Sequence, residues 1–544
     1  MKPWSDTYRR FGIPESVDVD AHPSVVSLLE EAMRKYPDRP AFNAFGRSIT
    51  YADYDRLSGH FAAWLQHRLG VKKGDRIAVM MPNLLAFPIA TLGILRAGAV
   101  QVNVNPLYTP RELEHQLNDS GATAIVIFDG STAALAEVIA RTPIRQVVTA
   151  GPGDGSGTAI PGPAPDPRLS GTVKFIDALA EGAGLERQIL ALAGSDLAFL
   201  QYTGGTTGLS KGASLTHRNL VANTLQFRAV MGATVGDGDD VVVTALPLYH
   251  IFALMVCLVA YGSAGAESWL VANPRDMDKL VDLMKAARPT VFAGVNTLYA
   301  GLAAHPRANE IDFSRLRFAV GGGSSILPAT AARWKAVAGR DICEGYGLSE
   351  TSPVLTLNPP GLGRFTATTG IPLPGTDLVL LGEDDREVAF GEAGEVCARG
   401  PQVMPGYWNQ PEANAAAFTK DSYFRTGDVG RFEPGGFLKL VDRKKDMVLV
   451  SGFNVYPNEV EAVASAFPGV AECACVGVPD ERTGESVKLF VVKAPGAEVT
   501  EEALKAHCQR ELAAYKVPKS IRFRDALPKS TVGKILRREL RGVD

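Results

Sequence analysis

Nine of the eleven residues from Tyr202 to Gly212 (Tyr-Thr-Gly-Gly-Thr-Thr-Gly-Leu-Ser-Lys-Gly) are glycine, threonine, serine or lysine. Gly204, Gly205, Gly208 and Gly212 let the backbone turn tightly and bring its N–H groups close to a ligand. The hydroxyls of Thr203, Thr206, Thr207 and Ser210 and the Lys211 ammonium add donors, a set that suits nucleotide phosphates. It is not a Walker A loop, because Lys211 precedes Gly212 instead of following a glycine. A flexible linker is the plainer alternative. An apolar strand-like run, Leu197 to Gln201, lies before it and a helix-like segment opens near Thr216 after it, so a loop between strand and helix is predicted.

Further groups able to do chemistry lie downstream. In Glu344-Gly-Tyr-Gly-Leu-Ser-Glu-Thr351, Tyr346 offers a flat face to a purine, while Gly345 and Gly347 let backbone approach it. Ser349 suits a phosphate oxygen, and Glu350 suits Mg²⁺, which binds through one or two carboxylates plus substrate phosphates. A dinucleotide fingerprint fails there, since Glu350 occupies the last glycine position. Asp428, in Tyr423-Phe-Arg-Thr-Gly-Asp-Val-Gly430, has the acceptors for a ribose diol; an Asx-turn is the competing reading. Arg443, in Val441-Asp-Arg-Lys-Lys-Asp-Met447, has the reach for ribose or α-phosphate. Lys534 sits between Gly533 and Ile535 in the Leu527–Arg538 run. An ordinary surface lysine is its commonest fate, but presented into a cleft it would stabilise developing negative charge. His250 follows the strand-like Val241 to Ala245, at the edge where parallel α/β sheets bind ligands, although taken alone a satisfied core histidine is the commoner reading.

These groups need a scaffold. Short apolar runs alternate with helical periodicity: Val25 to Met33 (helix), Arg76 to Met81 (strand), a helix through Ile94, then strands at Val100 to Val104 and Ala124 to Phe128. This predicts an α/β fold with a large N-terminal multi-sheet domain. After Arg443 the texture changes to short strands and two helices, predicting a smaller C-terminal α+β domain. We place the domains at residues 1–443 and 444–544. With 544 residues, a net charge of −3 and 46% apolar residues, the chain is an ordinary globular sequence without a basic field to recruit nucleic acid. Its six cysteines show no C-x-x-C pattern, which disfavours zinc and fits a reducing, cytoplasmic setting. No signal peptide or membrane span is evident.

Together the motifs resemble, in order and over nearly the whole chain, the adenylate-forming superfamily of acyl-CoA synthetases, luciferases and adenylation domains. Within it the likeness is to bacterial long-chain fatty acid–CoA ligases. It is carried by Gly294-Val-Asn-Thr-Leu-Tyr299, Val320 to Ser324, Asp442 to Met447, Ser451 to Glu459 and the Leu527–Arg538 segment. The resemblance implies that fatty acid and Mg·ATP give acyl-AMP and pyrophosphate, and that CoA thiol then displaces AMP. It implies that Thr203 to Lys211 hold the β- and γ-phosphates. Gly322, Gly323, Glu344, Gly345, Tyr346, Gly347 and Ser349 would line the nucleotide site, Asp428 and Arg443 would hold the ribose, and Glu350 the metal. His250, Phe252, Leu254, Val295, Asn296 and Gly321 would border the acyl group. Lys534 would act in the first step only. The small domain would be mobile: it would then swing about Lys445 and present Ser451, Gly452 and Phe453 for the CoA step. Some relatives carry a tryptophan gate where Leu254 stands, which leaves chain-length choice open. An aryl-acid ligase, a ligase loading a carrier protein and a non-catalytic nucleotide sensor remain alternatives. So do a homodimer and peripheral contact with the inner face of a membrane.

Overall fold

A computed structural model describes residues 2–203, 210–451, 453–530 and 533–541. Among them lie four sheets. In the first, six parallel strands run from Val173–Lys174 at one edge through Arg76–Met80 and Val100–Asn103 to Leu197–Thr203, and one antiparallel strand, Lys211–Thr216, closes the other edge. Its strands Arg76–Met80 and Ala124–Phe128 are nearly continuous apolar runs because both faces are covered. The apolar stretch Ile77 to Val104 is, as expected, strand, helix (Ala86–Arg96) and strand, and every residue of that helix is buried.

The second sheet has nine strands. Val241–Thr244, Val291–Gly294, Phe318–Gly321 and Ile342–Gly347 are parallel neighbours in part of it, and their carboxyl ends carry His250, Val295, Gly322 and Tyr346. A four-stranded antiparallel sheet, from Asp377–Leu381 to Phe437–Arg443, follows. From Val448 onward the chain builds a separate sheet with the helices Pro457–Ser465 and Glu501–Glu511, and its buried apolar residues form clusters of their own. Cys473 and Cys475 share one face of the Val470–Asp480 strand, both inside that core. No helix among the described residues is long and apolar enough to cross a membrane, and none of their His, Cys, Asp and Glu side chains gather in threes as a metal site.

One expectation needs correction. The glycine-threonine loop does not lead from strand to helix. Lys211–Thr216 is itself a strand, antiparallel to Leu197–Thr203 with Thr203 opposite Lys211, so the loop joins a hairpin. Six residues are too few for periodicity to declare a strand, yet Ala213 and Leu215 are fully buried on one side. The helix begins at His217, where the Thr216 side chain accepts the Asn219 N–H.

Candidate active site

Three of the candidate side chains form one connected group. The antiparallel pairing of Phe424–Glu433 with Phe437–Arg443 sets Asp428 opposite Arg443. Arg443 Nε lies 2.9 Å from Asp428 Oδ1, and the Tyr346 hydroxyl donates to Oδ2 at 2.7 Å. The carboxylate beside it raises the Arg443 pKa. Both Asp428 oxygens are therefore engaged, and a ribose diol would compete with the Tyr346 hydroxyl for one of them.

Lys534 reaches this group from the far end of the chain. Its N–H donates to Ser530 Oγ (3.1 Å), and the Ser530 N–H donates to the Lys534 carbonyl (2.7 Å), closing a tight loop in which Gly533 has φ +78°. Loss of solvent, then the Arg443 charge, pulls the Lys534 pKa down to about 8 against the pull of Asp428. His250 lies within its field: loss of solvent and then the Lys534 charge lower the imidazole to about 4, so the ring is neutral. The Phe252 N–H donates to His250 Nδ1 at 3.3 Å, which leaves the ring proton on Nε2.

Glu350 lies within the field of Arg443 and Asp428, buried in the short turn Ser349–Thr351 that Ser349 opens. Burial raises its pKa, and the Tyr407 hydroxyl donates to its Oε1 at 2.7 Å. The Tyr407 ring lies 5.3 Å from the Lys211 ammonium, and the Trp408 N–H donates to the Gly212 carbonyl. Tyr407 thus joins the hairpin to the acidic turn. Sequence reasoning missed it, because nothing in Pro-Gly-Tyr-Trp-Asn marks a site residue. Gly204, Gly205, Thr206, Thr207 and Gly208 lie outside the described residues.

The glycines shape a slot. A Cβ on Gly322 would stand 3.1 Å from the Phe252 ring and 3.3 Å from the Gly345 carbonyl, and one on Gly347 would stand 1.8 Å from the Pro353 oxygen. A Cβ on Gly323 would lie 3.6 Å from Val295. Four further predicted residues have packing or hydrogen-bond partners within the protein. Gly321 is packed under Ile326 and Ile342, and Leu254 is fully buried at the start of a turn of π-helix, Leu254–Ala260. Asn296 Oδ1 accepts the Leu327 N–H (2.9 Å). Glu344 gives its carboxyl oxygen to the Ile326 N–H (2.8 Å), and burial raises its pKa to about 8.

The segment assigned to the CoA step faces solvent. Ser451 adopts φ +51°, and Phe453, 57% exposed, stacks on Tyr515 with ring centroids 4.9 Å apart. Gly452 lies outside the described residues. Lys445, with its pKa lowered to about 8 by desolvation and by Arg443, lies just beyond the four-stranded sheet.

Residues 29–408 match the AMP-binding enzyme family, and residues 459–534 match the AMP-binding enzyme C-terminal domain. The chain belongs to the AMP-binding enzyme family. Among its relatives is a long-chain-fatty-acid–CoA ligase of Salmonella typhimurium, 47% identical over 99% of this chain and 98% of that one. ATP-bound MatB from Rhodopseudomonas palustris superposes with a TM-score of 0.83 at 33% identity, covering 95% of this AMP-binding enzyme and 98% of MatB. The apo form of MatB gives a TM-score of 0.74 with the same coverage and identity. The shape of this AMP-binding enzyme is therefore nearer the ATP-bound form of MatB than the apo one.

Proposed function

We propose that this AMP-binding enzyme is an ATP-dependent fatty acid–CoA ligase acting on medium- to long-chain acids. Acid and ATP give acyl-AMP and pyrophosphate; CoA thiol then attacks the acyl carbonyl and releases AMP. The observation that carries this is the linked group Tyr346–Asp428–Arg443, with Lys534 in the field of Asp428 and Arg443 and His250 in the field of Lys534. The Lys534 ammonium neutralises the charge that develops between the acid's carboxylate and the α-phosphate. His250, uncharged, donates from Nε2 without adding a further cation. Asp428 and Arg443 hold the ribose. Gly322, Gly323, Gly345, Tyr346 and Gly347 border the adenine, and residues 203–211 with Ser349 hold the outer phosphates. Phe252 and Val295 border the acyl group.

Glu350 is the side chain that would hold Mg²⁺. A single buried carboxylate, with no cluster of ligands among the described residues, fits an ion held mainly by phosphate oxygens and water. Bound there, Mg²⁺ supplies charge neutralisation to the phosphates. Residues 1–443 and 444–544 are the two moving parts, with Lys445 as pivot. Rotation withdraws Lys534, which a cleft admitting the pantetheine thiol cannot also hold, and turns the segment from Ser451 to Phe453 inward. The reading extends to a cytoplasmic enzyme that meets its acids at the inner membrane face and pairs as a homodimer, to be checked by vesicle flotation and sedimentation.

The decisive test is AMP release from Mg·ATP with fatty acids of stepped chain length and with aryl acids, with and without CoA. We expect CoA-dependent turnover that is greatest with medium- to long-chain fatty acids. Turnover with aryl acids alone, or with none, would overturn the proposal.

A further inference from the structure

The small domain touches the rest of the chain at two places that bear on Lys534. The first is the lysine loop itself. Thr297, on the helix Asn296–Ala303, donates from Oγ1 to the Gly533 carbonyl at 3.2 Å. The fit is close, because a Cβ on Gly533 would stand 2.6 Å from that oxygen and 3.3 Å from Val295 Cγ2. The second place is Asp442, 3% exposed, on the last strand before the pivot. Its Oδ2 accepts the Asn458 N–H at 2.8 Å, and Arg537 Nη1 approaches its Oδ1 at 3.5 Å. Its Oδ1 also takes the neighbouring Arg443 N–H at 2.7 Å. Arg537 lies three residues past Lys534 and is itself held by Glu461 at 2.9 and 2.7 Å.

We propose that Thr297 and Asp442 are positioning residues for Lys534: they hold the small domain in the orientation that serves the first half-reaction, without touching the reacting atoms. The proposal rests on the reading that Lys534 acts in that step and that the chain pivots at Lys445. Thr297 and Asp442 precede the pivot; Gly533, Asn458 and Arg537 follow it. Rotation at Lys445 therefore moves the two sides of each of these three contacts relative to one another. Losing any one contact shifts the balance of orientations by the net worth of that contact alone. The anchorage is thus made of parts weak enough to release on every turnover.

The test compares Thr297→Val, Thr297→Ser, Asp442→Asn and Lys534→Ala in two assays: acid-dependent ATP–pyrophosphate exchange, and thioester formation from supplied acyl-AMP and CoA. Valine keeps the shape of threonine and removes its donor. We expect exchange to fall about fivefold in Thr297→Val, the equilibrium worth of one neutral hydrogen bond, and on the order of tenfold in Asp442→Asn, where a charged acceptor is lost. Thr297→Ser should stay near wild type. Thioester formation should be undiminished in all three, and trypsin should cut faster at Lys444 and Lys445 in the two impaired variants. Unchanged exchange in Thr297→Val and Asp442→Asn, with exchange abolished by Lys534→Ala, overturns the positioning roles and leaves the ligase reading standing. Equal loss of both half-reactions also overturns them, since it marks a merely structural role. Exchange that survives Lys534→Ala overturns the underlying reading of Lys534 instead.

Discussion

Raising the pH through 8 should switch off acyl-AMP formation while favouring its consumption. The Lys534 pKa is lowered to about 8, first by loss of solvent and then by the Arg443 charge. In the proposed role the ammonium is the active form, so activity should be lost as pH rises: roughly 90% of free enzyme carries it at pH 7 and roughly 10% at pH 9. The kcat/KM for ATP in pyrophosphate exchange reports the free enzyme and should drop about tenfold across that interval. The limb in kcat should sit higher, because bound phosphates favour the ammonium. The second half-reaction slopes the other way, since a thiol with a pKa of about 8.5 gains nucleophilic thiolate over the same range. One competitor must be separated: Lys445 is also lowered to about 8. Lys534→Arg keeps a charge that does not titrate here, so its exchange, though slower, should be flat from pH 7 to 9. Lys445→Arg should keep the limb. A limb that persists in Lys534→Arg, or disappears in Lys445→Arg, refutes the reasoning.

Other consequences can be checked directly. Glu350→Gln keeps an acceptor for Tyr407 but removes the charge, so the Mg²⁺ concentration that half-saturates exchange should rise roughly tenfold; an unaltered Mg²⁺ titration would remove Glu350 from that role. Asp428→Asn should raise the KM for ATP by roughly tenfold or more with little change in the KM for CoA, read from initial rates. Leu254→Ala empties a fully buried site and should cost about 2–5 kcal/mol in denaturant unfolding. Gly347→Ala drives a methyl into the Pro353 carbonyl, and nucleotide binding measured by calorimetry should vanish even where the variant folds.

What the sequence disclosed and what it withheld divide along physical lines. Residues whose chemistry is rare, such as Glu350, Asp428 and Lys534, stand out because carboxylates and lysines seldom sit among glycines and apolar residues by accident of packing. Long apolar runs such as Ile77 to Val104 declare their elements through burial on every side. The hairpin around the phosphate-like loop was hidden because Lys211–Thr216 is short and half of its residues are small. Tyr407, Thr297 and Gln201, whose side-chain amide donates to the Tyr249 carbonyl beside His250, act through distant partners that only the fold brings near. Glu344 and Asn296 have the composition of ligand residues, yet their oxygens are taken by backbone N–H groups. Spacing cannot show that a polar atom is already satisfied.

Arg443, paired with Asp428, sits only two peptide units from Lys445, and the Lys444 N–H between them donates to the Gly427 carbonyl. The residue proposed to hold the ribose and the residue proposed as pivot thus lie on one short, tethered piece of backbone. On the proposed reading, exchanging triphosphate for monophosphate would act on that piece directly, and the lobe's turn would follow chemical progress without a long relay through the interior.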